Sequence, residues 1–191
     1  MFFKKKKGKG KRSIRLKITN GDRKQTLHDI ISLYLRELND WTCQKCGKVY
    51  ERGTPGLTCS HYIGRADLRF AFDLDNLDIF CWMPCHCLYE SLKNTDYKTY
   101  MEEKLGADKV MWMEFVSKNR MNPENIPEET LKAMPREYLS KILFEMNHDE
   151  ISRYTMFYVQ EYKNLCIRKG VENLWESRKL KKSTRVRPEK L

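Results

Sequence analysis

No stretch of the 191 residues approaches the roughly 18 consecutive apolar positions that a membrane-spanning helix needs, and no apolar run follows the charged N-terminus. The expectation is a cytoplasmic protein with no membrane partner. No internal repeat is visible, and the chain is too short for a large multidomain enzyme. Acidic residues are almost missing from residues 1–25, where Asp22 stands against eleven Lys and Arg. That segment carries +10 and residues 171–191 carry +4, which leaves −3 over residues 26–170 of the net +11. Charge placed in this way suggests arms that grip a polyanion, because phosphate binding releases counterions; nucleic acid is the first choice and an anionic membrane the second. Lys4, Lys5, Lys6 and Lys7 form the densest run, for which the plainer reading is a solvated tail.

Seven cysteines cannot all pair, and four of them fall in two close pairs, a pattern of metal binding in a reducing compartment rather than of disulfides. Cys43 and Cys46 are two residues apart and precede Gly47; Cys81 and Cys85 enclose three. Together they offer four soft ligands to a closed tetrahedral Zn2+ site. The second spacing is one longer than the commonest, so Cys59 and Cys87 stay open as substitutes. Cys166 stands alone and reads as a small buried hydrophobe, a reading also open to Cys87. The zinc is expected to hold a small module together and not to cut.

Apolar residues from Leu27 to Leu38 recur at helical spacing, with Thr26 placed to cap the start. From Trp41 to Ser91 that period disappears, and glycines punctuate short runs as in a knuckle and hairpin, with a short helix beginning near Cys85. Tyr97 to Leu105 is helical, with Gly106 as a stop and an apolar turn or two at Val110–Val116. A last helical pattern runs from Leu139 through Met146, breaks near His148 and continues to Gly170. The fold class is α+β and mostly helical. We divide the chain into a basic arm (1–25), a zinc module with flanking helices (26–118), a helical C-terminal region (119–170) and a basic tail (171–191).

Between the cysteine pairs lie Cys59-Ser60-His61-Tyr62-Ile63-Gly64-Arg65, then Asp75-Asn76-Leu77, and His86 directly after Cys85. This order resembles the HNH nuclease motif. With the downstream Tyr…Leu…Gly-Ala-Asp-Lys-Val stretch, it is more closely similar to the NinG (Rap) family of phage recombination endonucleases, over about Thr26 to Glu114. The resemblance implies a zinc-bound treble-clef, or ββα-metal, module that hydrolyses DNA. Its substrates would be branched recombination intermediates such as Holliday junctions or D-loops, in a bacterial host's cytoplasm if the chain is phage-encoded. Phosphodiester hydrolysis needs a base, a cation and groups that hold both. The resemblance assigns His61 as base, Asn76 to fix the loop that orients it, and His86 as ligand of a catalytic Mg2+ or Mn2+. Arg65 and Arg69 are candidate phosphate contacts. Paired incisions would suit a homodimer, although no heptad or apolar seam marks one.

Many HNH enzymes carry an aspartate ligand just before the base, where this chain has Ser60. A hard cation wants carboxylate oxygen, so Asp67, Asp73 or Asp75 would supply it, or water and substrate phosphate would fill the gap. The alternative function is a non-catalytic, zinc-dependent DNA-binding module. A structural zinc protein of a nucleoprotein particle is a third, which leaves His61, Asn76 and His86 without a joint purpose. His28 and His148 are read as structural or incidental.

Overall fold

The computed structural model describes residues 20–87, 95–119, 123–142 and 146–177. Lys4 to Lys7, Leu143 and the tail from residue 178 lie outside them. The described chain is mostly helical, with one small two-stranded sheet. Its order is α1 (Asn20–Leu38), β1 (Leu57–His61), β2 (Leu77–Cys81), α2 (Thr95–Leu105), α3 (Ala107–Lys118), α4 (Glu128–Ala133), α5 (Arg136–Ile142) and α6 (His148–Lys169). None of the described helices is long and apolar enough to cross a membrane.

Helix α1 begins at Asn20, upstream of the expected cap at Thr26. Thr26 lies inside the helix and its hydroxyl donates back to the Asp22 carbonyl at 2.8 Å, so a helix interior takes the place of the predicted boundary. The stripe of Leu27, Ile30, Ile31 and Leu35 is buried, and so are Ser32 and Leu33, because α6 covers one side of the helix and the hairpin another. One apolar core therefore runs from Leu27 through Phe80 and Met113 to Tyr162 and Cys166, joining α1 and the hairpin to the C-terminal helices. At the break read near His148, Asn147 accepts from the Asp149 and Glu150 amides while Glu150 accepts from the Asn147 amide, a reciprocal cap that starts α6. Gly170, at φ 64°, ends it in the left-handed region that glycine tolerates.

β1 and β2 pair antiparallel, with Leu57 opposite Cys81 and His61 opposite Leu77. β2 is buried along its whole length. Asp78 on it is fully buried, and it accepts from the Lys104 ammonium at 2.7 Å, Tyr100 at 3.1 Å and Tyr97 at 3.2 Å. These bonds fasten α2 to the sheet. Asp78→Asn keeps the shape but removes the charge facing Lys104, whose side chain is a quarter exposed; about 2 kcal/mol of stability should be lost. Urea unfolding of the two proteins measures this, and an unchanged midpoint would show that solvent already screens the pair.

Candidate metal centre and active site

Helix α1 ends in a left-handed turn at Asp40 and Trp41. This is uncommon for so bulky a residue as Trp41, and it is held by burial of the ring and by its indole N–H on the buried Glu37 carboxylate at 3.1 Å. Arg52 from beyond the knuckle pairs with Glu37 at 2.9 Å and reaches the Glu172 carbonyl at 2.5 Å. The knuckle that follows Trp41 is thus pinned between both ends of the chain's core. A bridge between Thr42 and Val49 closes it, and Gly47, at φ 71°, turns it.

Here the thiols of Cys43, Cys46, Cys81 and Cys85 all lie within 4.8 Å of one another, a group able to hold a metal ion. The Cys46 and Cys81 sulfurs are 3.9 Å apart, close to the ~3.8 Å edge of a tetrahedron with metal–sulfur bonds of about 2.3 Å. Cys59 and Cys87 are not in this group. Cys59 lies buried on β1, where burial pushes its thiol up to about 12 and keeps it protonated. Burial would also raise Cys43, but the amides of Cys46, Cys81 and Lys45 and the Cys46 side chain outweigh it and bring the thiol down to about 7. Burial and the three neighbouring thiols hold Cys85 well above its ordinary value. One sulfur is therefore ready to ionise while the crowd resists a second negative charge, and a cation would resolve that conflict.

Successive strand residues face opposite ways, so Ser60 and His61 diverge at the end of β1. The buried Ser60 hydroxyl bonds His86 Nδ1 at 2.8 Å and sets the orientation of that ring. His86 stands at the end of an irregular helical turn, Trp82–His86, directly after Cys85 of the four-thiol group. His61 instead stacks on His28 of α1, with centroids 5.3 Å apart, and its Nε2 lies 3.2 Å from the Ala71 carbonyl. A carbonyl can only accept, which puts the proton on Nε2 and the lone pair on Nδ1. Burial, then His28 and Arg65, push the His61 imidazole down to about 4, so it is neutral across the physiological range. Sequence reasoning set His28 aside, and no spacing would have revealed the stack, since the two rings meet only through helix packing.

Asn76 is fully buried at the far end of the loop that follows His61. Its carboxamide accepts from the Ile63 amide at 2.6 Å and donates to the carbonyls of Ile63 at 2.9 Å and Phe70 at 3.0 Å. Its own carbonyl takes the Tyr62 amide at 3.1 Å. The bonds to Tyr62 and Ile63 brace the backbone that follows His61, and the bond to Phe70 ties it across the loop.

The three acids weighed as ligands of a hard cation are each paired with a basic side chain. Asp67 takes Arg69 through a two-pronged bond of 2.8 and 2.7 Å, Asp75 takes Lys109 at 2.6 Å, and Asp73 takes Lys141. The Arg69 side chain is only 6% exposed, and its guanidinium is engaged by Asp67. Arg65 is exposed, bonded to Gln25 at 3.2 Å, and close enough to His61 to depress its basicity. The chain matches no protein-family model, no curated protein and no solved structure.

Proposed function

We propose that the protein is a metal-dependent DNA endonuclease of HNH type, held together by zinc on Cys43, Cys46, Cys81 and Cys85 and acting on branched DNA. The observation that carries this reading is the arrangement around His61: a neutral imidazole with its proton held on Nε2, on a loop braced by Asn76. That is what a base that must accept a proton from water at Nδ1 requires. Knuckle, hairpin and the turn bearing His86 would then constitute the treble-clef module. The sequence resemblance to the NinG family supports the same assignment and supplies the branched substrates.

His86 would hold the catalytic divalent ion, whose chemistry is to offset charge on the phosphorane and the leaving oxygen. The donors fit a hard ion only in part. Ser60 and His86 bring a hydroxyl and an imidazole, and Asp67, Asp73 and Asp75 are engaged elsewhere. An imidazole suits Mn2+ better than Mg2+, and water and substrate phosphate would complete the shell. Arg65, exposed and near enough to His61 to depress its basicity, would hold a phosphate in place. The same shortage of carboxylates favours a second reading, a zinc-dependent DNA-binding module that does not cut.

A cleavage panel separates the two. Linear, flapped and four-way DNA are incubated with zinc-loaded protein, with and without added Mn2+ or Mg2+. Divalent-dependent incision of branched DNA is expected; binding without incision under every condition would leave the second reading.

The basic arm gives a separate measurement. Deleting residues 1–19 spares α1 and removes nine Lys and Arg. Binding should weaken to about the same degree for every DNA shape, and the slope of log K against log salt should flatten by roughly 0.9 per lost phosphate contact. An unchanged slope would make the arm a passive tail.

A further inference from the structure

Two apolar side chains stand in solvent beside the site just described. Trp82 is 53% exposed and Met83 67%, and the exposed Pro84 completes an apolar tip. Tryptophan and methionine are residues that folding ordinarily hides, and a core lies within reach, since β2 ends one residue earlier with the buried Cys81. The tip is also anchored. The Trp82 amide donates to the Gly56 carbonyl at 2.9 Å, the Cys87 amide bonds back to the carbonyls of Pro84 and Trp82, and Cys81 and Cys85 of the four-thiol group bracket the tip. On one side the indole leans on His86, with ring centroids 5.0 Å apart at 35°. On the other, the sulfur of Cys81 lies against that of Cys46, which brings the knuckle with its exposed Lys45 and Lys48 alongside.

We infer that the Trp82–Pro84 tip is a stacking platform for an unpaired nucleobase of DNA. A flat aromatic face held on an anchored turn, flanked by lysines that suit a phosphate backbone, is what recognition of unstacked bases uses. In an intact duplex the bases already stack on one another, and a wedge would first have to pay for separating them. A single strand, a flap or the centre of a branch presents a base at no such cost. The tip therefore selects unpaired DNA and delivers the neighbouring phosphate toward His86 and His61. This rests on the DNA-binding part of the proposed function, but not on cleavage.

Trp82 reports on the test itself. Trp41 is buried, and Trp112 and Trp175 are half-buried, so the emission lost in Trp82→Phe identifies the exposed indole's share. Zinc-loaded protein without added Mg2+ or Mn2+ is titrated with a twelve-residue oligothymidylate, a flapped duplex and a blunt duplex. The first two should quench that share and the blunt duplex should not. Trp82→Ala should weaken binding of the oligothymidylate and the flap by about fivefold to a hundredfold, with little change for the blunt duplex. Met83→Ala, at an exposed position that folding does not use, should lower the same two affinities, and it keeps the test open if Trp82→Ala fails to fold. Unquenched Trp82 with unaltered affinities in the variants would overturn the inference while leaving nuclease activity untouched. Equal losses on blunt duplex would overturn it in favour of a general duplex contact. Failure to bind any DNA would remove the proposed function as well.

Discussion

His61→Ala should lower the rate of DNA cleavage by about 10²-fold or more while leaving zinc content, folding at neutral pH and DNA affinity nearly unchanged, because a positioned base is worth that much and binds nothing by itself. His86→Ala should behave differently, raising the divalent concentration needed for half-maximal activity, since a ligand rather than a base is lost. Asn76→Ala should fall between in rate and should also destabilise the loop, because the carboxamide makes three bonds to the backbone of Ile63 and Phe70. The pH profile adds a test that importance alone would not move. With the His61 imidazole near 4, the acid limb of kcat/KM should lie well below the 6.5 of a free histidine. The same depression has a sign in stability. The folded state resists protonation, so its stability is complete above about pH 6.5 and falls by up to about 3 kcal/mol as pH drops toward 4. His61→Ala should remove that decline. Full cleavage by a well-folded, nuclease-free His61→Ala protein would exclude His61 from the chemistry and leave the DNA-binding module as the better account.

Removal of zinc should have the largest effect on structure. Cys43 is fully buried, and its sulfur accepts the Cys81 amide at 3.3 Å, so it links the knuckle directly to β2. Cys43→Ser should lose the ion and unfold the module around it, since structural zinc contributes on the order of 10 kcal/mol, about as much as the whole stability of a small domain. A strong chelator should do the same to the parent protein, and zinc should restore it. The effect should spread to α1 and α6, because Glu37 and Arg52 tie the knuckle to both. Circular dichroism with elemental analysis measures this. Protein purified without chelator that contains no zinc, or a Cys43→Ser variant that keeps its full thermal transition, would refute a structural metal.

Helical spans were legible wherever apolar period and breaker coincided. Gly106 parts α2 from α3, and Gly170 closes α6, because only a residue without Cβ takes those positive φ values at low cost. The start of α1 was not legible, since residues 20–26 carry little apolar signal and Thr26 resembles a cap. The cysteine group was readable because a thiol's affinity for metal depends on residue type and spacing, which are properties of the chain itself. Excluding the substitutes Cys59 and Cys87 took the tertiary structure: neither joins the four-thiol group, and Cys59 is buried on β1.

Sequence alone determined the basic arms, the paired cysteines, the mostly helical class and the order His61, Asn76, His86, for these follow from residue identity and local period. Only the tertiary structure decided what surrounds them. It laid His28 on His61, gave the Ser60 hydroxyl to His86, committed Asp67, Asp73 and Asp75 to Arg69, Lys141 and Lys109, and left Trp82 in solvent. The physical reason is that burial and electrostatic pairing depend on distances between residues far apart in the chain, and the packing of α1 and α6 around the hairpin sets those distances.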